Sequence, residues 1–168
     1  SADSKDYASA AEAKIGDTVD FQLTGHLPSN FADYTKPYYY KFTDTLSKGL
    51  TYTTNSLEVY VVHKDNTETK VDPSSYTFTP GTYNETNGTT ITVEFPNLNN
   101  VATKSEGEDS ATVKNPVKMA DTPNSQITIV GTDTIVVRYK ATLNKSAVIG
   151  KDGNKNSVKL DYSNDPNT

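Results

Sequence analysis

Asp44 and Asn164 each stand where an alternating strand pattern calls for an apolar side chain. Asp44 keeps step with Tyr38, Tyr40 and Phe42, and Asn164 with Val158, Leu160 and Tyr162. Residues two apart on a strand share a face, so this parity points a carboxyl and a carboxamide into the core. Burying such groups is costly unless they satisfy each other or serve a chemical purpose. One reading is mundane: each residue lies just past its strand's end, where parity carries no meaning. The other is chemical. A lysine amine can attack an Asn carboxamide, form an amide and expel ammonia, provided the amine is neutral and the carbonyl polarised. Burial favours both conditions, because it lowers a lysine pKa and raises that of a carboxyl, which can then relay protons. In that reading Asp44 is the proton relay and Asn164 the electrophile.

The elements that must position these residues read as strands. Residues 15–23 alternate, with Ile15, Asp17, Val19, Phe21 and Leu23 on one face. A second alternating face runs from Tyr38 to Leu46, a more buried strand spans 57–62, and a short one spans 76–79. Asn87-Gly88 is a two-residue turn signal leading into a strand over 89–95. Strands resume over 126–130 and 134–143, the latter with Ile135, Val137, Tyr139, Ala141 and Leu143 on one face. Asp152-Gly153 marks a further turn before a last strand from about Ser157. The polar stretch 97–124 reads as a long loop or insertion with a short helix near residues 117–119. This succession of short strands predicts an all-β fold, an immunoglobulin-like β-sandwich, with residues 1–168 as one domain.

Composition narrows the function classes. The 168 residues include eleven Tyr and five Phe within a hydrophobic share of only 33 %, which suits strands joined by polar turns. With a net charge of −5 and scattered basic residues, no nucleic-acid footprint appears. No apolar run reaches the roughly 20 residues of a membrane helix, and no signal peptide is apparent, as expected of a mature protein or an excised fragment. The absence of cysteine excludes disulfides, thiolate metal sites and a Cys nucleophile. His26 and His63 have no partner at metal-ligand spacing and read as surface residues. The stretch Asp152-Gly153-Asn154-Lys155-Asn156 lacks the bidentate Glu of a calcium loop and reads as a turn. Neither a metal nor a cofactor is expected.

Two groups of motifs carry a resemblance. The segments Ile15-Gly16-Asp17-Thr18-Val19 and Thr43-Asp44-Thr45-Leu46-Ser47-Lys48-Gly49-Leu50-Thr51-Tyr52 form the first. The second runs from Ile135 through Ala141-Thr142-Leu143-Asn144 and Ala147-Val148-Ile149-Gly150 to Tyr162-Ser163-Asn164-Asp165-Pro166. In order and content they resemble the isopeptide-forming D2 domain of Gram-positive pilin backbone proteins. The resemblance implies that the Asp of the Asp-Thr-Leu segment, Asp44, assists, and that the Asn of the Tyr-Ser-Asn segment, Asn164, accepts the lysine. It also implies a lysine on a first strand about a dozen residues before Ile15-Gly16-Asp17, where Lys5 stands. Lys14 is the second choice, since it shares parity with Thr18 and Asp20 and should face solvent. A reactive strand outside this sequence is the alternative. Glu94, opposite in parity to Ile91, Val93 and Phe95, is the second-choice acid.

The function so implied is structural: a module of a pilus shaft or cell-wall-anchored adhesin, outside the cell, tied by a self-formed Lys–Asn bond and turning over no substrate. Its partners would be neighbouring domains of the same surface protein and sortase-linked pilin subunits. The alternative is a binding module in which the same scaffold presents a glycan or host-protein site, with 97–124 as the natural location.

Overall fold

In the computed structural model the described residues are 2–6 (as backbone), 14–147 and 154–166. In chain order the strands are β1 (Ala2–Asp6), β2 (Thr18–Gly25), β3 (Tyr40–Leu46), β4 (Leu50–Tyr52), β5 (Glu58–Val62), β6 (Glu68–Lys70), β7 (Thr77–Thr79), β8 (Thr89–Phe95), β9 (Ala102–Thr103), β10 (Thr112–Val113), β11 (Thr134–Leu143) and β12 (Asn156–Tyr162). One sheet has the order β1-β2-β11-β5-β6, with β4 also paired to β11. The other has the order β12-β3-β8-β7, and β9-β10 form a separate hairpin. Their ladders are antiparallel. The molecule is an immunoglobulin-like β-sandwich.

Alternation produces this arrangement. On β2 the odd-numbered Val19, Phe21 and Leu23 are buried, and on β11 so are Ile135, Val137, Tyr139, Ala141 and Leu143. They meet Tyr40, Phe42 and Leu46 of β3 and Ile91, Val93 and Phe95 of β8 in a single core. Aromatic and β-branched residues suit such half-buried pleated surfaces. Close packing at one end depends on a glycine. A Cβ at Gly25 would sit 2.2 Å from the Tyr40 hydroxyl oxygen, and that hydroxyl donates to the His26 carbonyl at 2.8 Å. At another edge β1 lies against β12, so these strands close the sandwich side by side.

Several expectations are corrected. Ile15 is 51 % exposed, because residues 14–17 form a turn, closed by the Asp17 N–H on the Lys14 carbonyl, before β2 begins. The Asn87-Gly88 turn is wider than two residues: Asn84 and Gly88 exchange both backbone hydrogen bonds at 2.8 Å. No helix forms at 117–119. Met119 bridges to Val71 and Lys118 to Gln126, so tertiary partners take the backbone groups that a helix would use internally. Residues 126–130 form one such bridge and no strand, although Ile127 and Ile129 are buried. The 97–124 segment is anchored to the body rather than loose, with Leu98 and Val117 fully buried. Val148, Ile149 and Gly150 of the resemblance, and the Asp152-Gly153 turn, lie outside the described residues.

Candidate functional site

Asp44 occupies the inner face of β3, fully buried at 0 % exposure. In the ladders it lies between Val158 on β12 and Ile91 on β8. Asn156 pairs with Leu46, one same-face step along, which makes it a diagonal neighbour of Asp44. The opposing sheet contributes Tyr139, whose strand position faces Phe21. The two rings stack with centroids 5.4 Å apart and planes 16° from parallel, and the Tyr52 ring lies 5.9 Å away. Packing therefore holds the Tyr139 ring so that its hydroxyl crosses between the sheets.

The three side chains form a chain of hydrogen bonds. Tyr139 Oη donates to Asp44 Oδ2 at 2.5 Å, and Asn156 Nδ2 donates to Tyr139 Oη at 2.8 Å. Asp44 Oδ1 has no hydrogen-bond partner among the described residues. Burial pushes the Asp44 carboxyl up to about 6, and the hydrogen bond from Tyr139, with the nearby Asn156 carboxamide, pulls it in the opposite direction. Desolvation, and after it the neighbouring Asp44 charge, raise Tyr139 far above the usual phenol range, so its hydroxyl stays neutral. A carboxyl that exchanges its proton near neutral pH and a neutral phenol, both buried, are thus aligned with a half-buried carboxamide. That set can polarise an amide and move protons around it.

The other candidate residues are distributed differently. Asn164 is exposed and does not join Asp44. β12 ends at Tyr162, itself 48 % exposed, and the chain leaves the sheet once the Ser163 N–H has bonded the Tyr39 carbonyl. Strand parity does not continue past that point, so the inward position expected for Asn164 is corrected. Lys5 lies on β1, with its backbone opposite Gln22. Lys14 is exposed in the turn preceding β2. Glu94 is half-buried on the outer face of β8, opposite Lys41 and Thr77 in register and turned away from the core.

Asn156 was missed because the preceding Asp-Gly signal assigned it to a turn. It nonetheless shares parity with Val158 and Leu160, and that was the signal available. Tyr139 read as an ordinary core aromatic, and nothing local to its sequence marks its hydroxyl partners. His63 is also corrected. Rather than standing alone, it places Nδ1 3.1 Å from Asp133 Oδ1 and Nε2 2.9 Å from Thr69 Oγ1.

The site and fold together describe a sandwich domain with a polar cluster between its sheets, buried at Asp44 and Tyr139 and half-buried at Asn156. No family model and no curated protein matches this sequence. Solved structures share its fold. The 35 kDa C-terminal fragment of the major pilin GBS80 of Streptococcus agalactiae is 21 % identical with a TM-score of 0.58, over 98 % of this chain and 49 % of that one. The pilus 2b backbone protein of group B streptococcus is 17 % identical with a TM-score of 0.57, over 96 % and 52 %. The pilus backbone RrgB of Streptococcus pneumoniae is 15 % identical with a TM-score of 0.55, over 96 % and 51 %. The chain thus spans about half the length of each. At these identities the likeness is one of fold. No helix among the described residues is long and apolar enough to cross a membrane.

Proposed function

We propose that this chain is a structural module of a Gram-positive pilus shaft or cell-wall-anchored surface protein, and that a self-formed Lys–Asn amide beside Asp44 ties its sandwich together. One observation carries the chemical part: a carboxamide, Asn156, lies in the hydrogen-bonded cluster of a buried carboxyl. This geometry favours Asn156 over Asn164 as the lysine acceptor. The fold shared with pilus backbone proteins supports the structural part.

In the reaction a neutral lysine Nζ attacks Asn156 Cγ, the new C–N bond forms, and the old one breaks to release ammonia. Asp44 takes up and returns the proton. The event happens once per molecule and is not enzymatic turnover. Lys5 is the candidate donor because its strand β1 runs beside β12, although its register opposite Gln22 sets it on the sheet face away from Asp44. A tie between residues 5 and 156 would close a loop of about 150 residues. By the arithmetic used for disulfides, this contributes roughly 5 kcal/mol. Tension applied along the chain would then pass through a covalent bond instead of peeling hydrogen bonds from a sheet edge. The partners would be neighbouring domains and further pilin subunits, in a pilus or cell wall outside the cell.

The test is the intact mass of the wild-type chain beside Asn156→Ala and Asn164→Ala. The expected wild-type mass is about 17 Da below the calculated value, the mass of one ammonia. Asn156→Ala abolishes the deficit, its mass equalling the value calculated for the variant, and Asn164→Ala leaves the deficit in place. Peptide mapping then identifies the lysine as Lys5 or Lys14. A wild-type mass equal to the calculated one refutes the self-crosslinking claim.

A further inference from the structure

The Tyr139 hydroxyl lies between the two groups that must exchange a proton for ammonia to leave. It donates to Asp44 Oδ2 at 2.5 Å and accepts from Asn156 Nδ2 at 2.8 Å. The atom that it touches on Asn156 is the nitrogen that departs, not the oxygen that becomes part of the new amide. The geometry points to Tyr139 as a catalytic residue of amide formation, the group that delivers the leaving-group proton from Asp44 to Asn156 Nδ2. This inference rests on the crosslinking reading above and adds a residue to it.

The direction of the hydrogen-bond chain gives the mechanism. An amide nitrogen has its lone pair delocalised into the carbonyl, so Nδ2 can only donate, and it does so to Tyr139. Attack by the lysine nitrogen at Cγ makes that carbon tetrahedral and frees the lone pair on Nδ2. The nitrogen is now a base, and the chain can reverse. The attacking nitrogen, carrying a surplus proton, gives it to the Asp44 carboxylate. The resulting carboxylic acid reprotonates Tyr139 as Tyr139 hands its own proton to Nδ2. The Cγ–Nδ2 bond breaks, ammonia leaves, the carbonyl reforms, and Asp44 is again a carboxylate. Every proton is accounted for, and no outside acid or base is required.

Two features suit Tyr139 to this relay. Its ring is held by the Phe21 stack and by contact with Tyr52, so the hydroxyl is already placed before the reaction begins. Two of the cluster's three members are removed from water: Tyr139 is 2 % exposed and Asp44 0 %, with Asn156 half-buried, so the proton's source, Asp44, and its carrier, Tyr139, are shielded from solvent. Asp44 Oδ1, without a partner among the described residues, is free to hold the incoming amine by one N–H, while Oδ2, the oxygen that Tyr139 bonds, takes the surplus proton and passes it on.

The experiment follows crosslinking in time. Chain obtained unfolded from inclusion bodies is refolded by dilution, quenched at intervals, and scored by mass for ammonia loss. Tyr139→Phe keeps the ring and its stacking but removes the relay. Its expected rate is about 100-fold below wild type, the size of a general acid–base contribution. A second variant guards against a folding defect: Tyr139→3-fluorotyrosine keeps the hydroxyl and nearly the same shape but makes the phenol more acidic. Its expected rate is several-fold faster, because the proton passes more readily to the departing nitrogen, an effect that a purely structural role would not produce. Tyr139→Phe crosslinking within about threefold of wild type, or a fluorinated chain indistinguishable from wild type, overturns the relay and leaves the crosslink standing. A wild-type chain that loses no ammonia overturns the crosslinking reading and the relay with it.

Discussion

Two buried polar sites in this sandwich are built on opposite principles. Asn97, 3 % exposed, saturates its side chain with backbone. Its Nδ2 donates to the Val101 and Lys114 carbonyls, each at 2.9 Å, and its Oδ1 accepts from the Val101 N–H at 3.0 Å. Nearby Asn100 does the same, accepting from the Val117 N–H at 2.7 Å and donating to the Ile127 carbonyl at 2.9 Å. These amides stand in for the strand partners that the 97–124 segment lacks. In the Asp44 cluster, by contrast, side chains bond to side chains, and one carboxylate oxygen has no partner among the described residues. A saturated site serves as scaffold. A site with spare hydrogen-bonding capacity in the core costs stability, a cost that the proposed crosslink would offset.

That contrast can be broken at either site. The largest stability loss is expected for Asn97→Ala, which removes three hydrogen bonds and strands the backbone groups that made them. It should lower unfolding free energy by about 3–4 kcal/mol in a urea titration. A loss below about 1 kcal/mol would mean that water replaces the side chain and the site is not saturated scaffold.

Asp44→Asn should act in the opposite sense, and the comparison is best made in an Asn156→Ala background, where no crosslink at that residue can form. The Asp44 carboxyl is raised from its ordinary 3.8 to about 6 in the fold. A raised acid favours the folded state below about pH 3.8, and that contribution is lost as pH rises through about 6. The neutral amide escapes this loss. Asp44→Asn should therefore be more stable by roughly 2–3 kcal/mol at pH 7.5, with the gain vanishing below pH 4. Thermal or urea unfolding across that range checks it. A pH-independent difference would assign the effect to packing.

The smallest effect is expected on the surface. Arg138 forms a bidentate pair with Glu68 at 2.7 and 2.8 Å, but both groups are about one-third exposed. Glu68→Gln should cost no more than about 0.5 kcal/mol and should cost less in high salt, as chemical denaturation at two ionic strengths would show. A larger, salt-insensitive loss would show that the surface pair behaves like the buried sites.

Much of this was legible in the residues, because a strand's side chains alternate with a period of two whatever lies across from them. That local rule determined the all-β class, the bounds of β8 and β11, and the inward direction of Asp44 beside Tyr40 and Phe42. The cluster itself depends on contacts distant along the chain. Where β12 starts and stops depends on its pairing with β3, which brings Asn156 into the ladder opposite Leu46 and leaves Asn164 beyond it. Which phenol meets Asp44 depends on how the two sheets stack, since Tyr139 lies 95 residues away in sequence. Parity says which face a residue takes, but only the folded pairing of strands and sheets says what waits for it there.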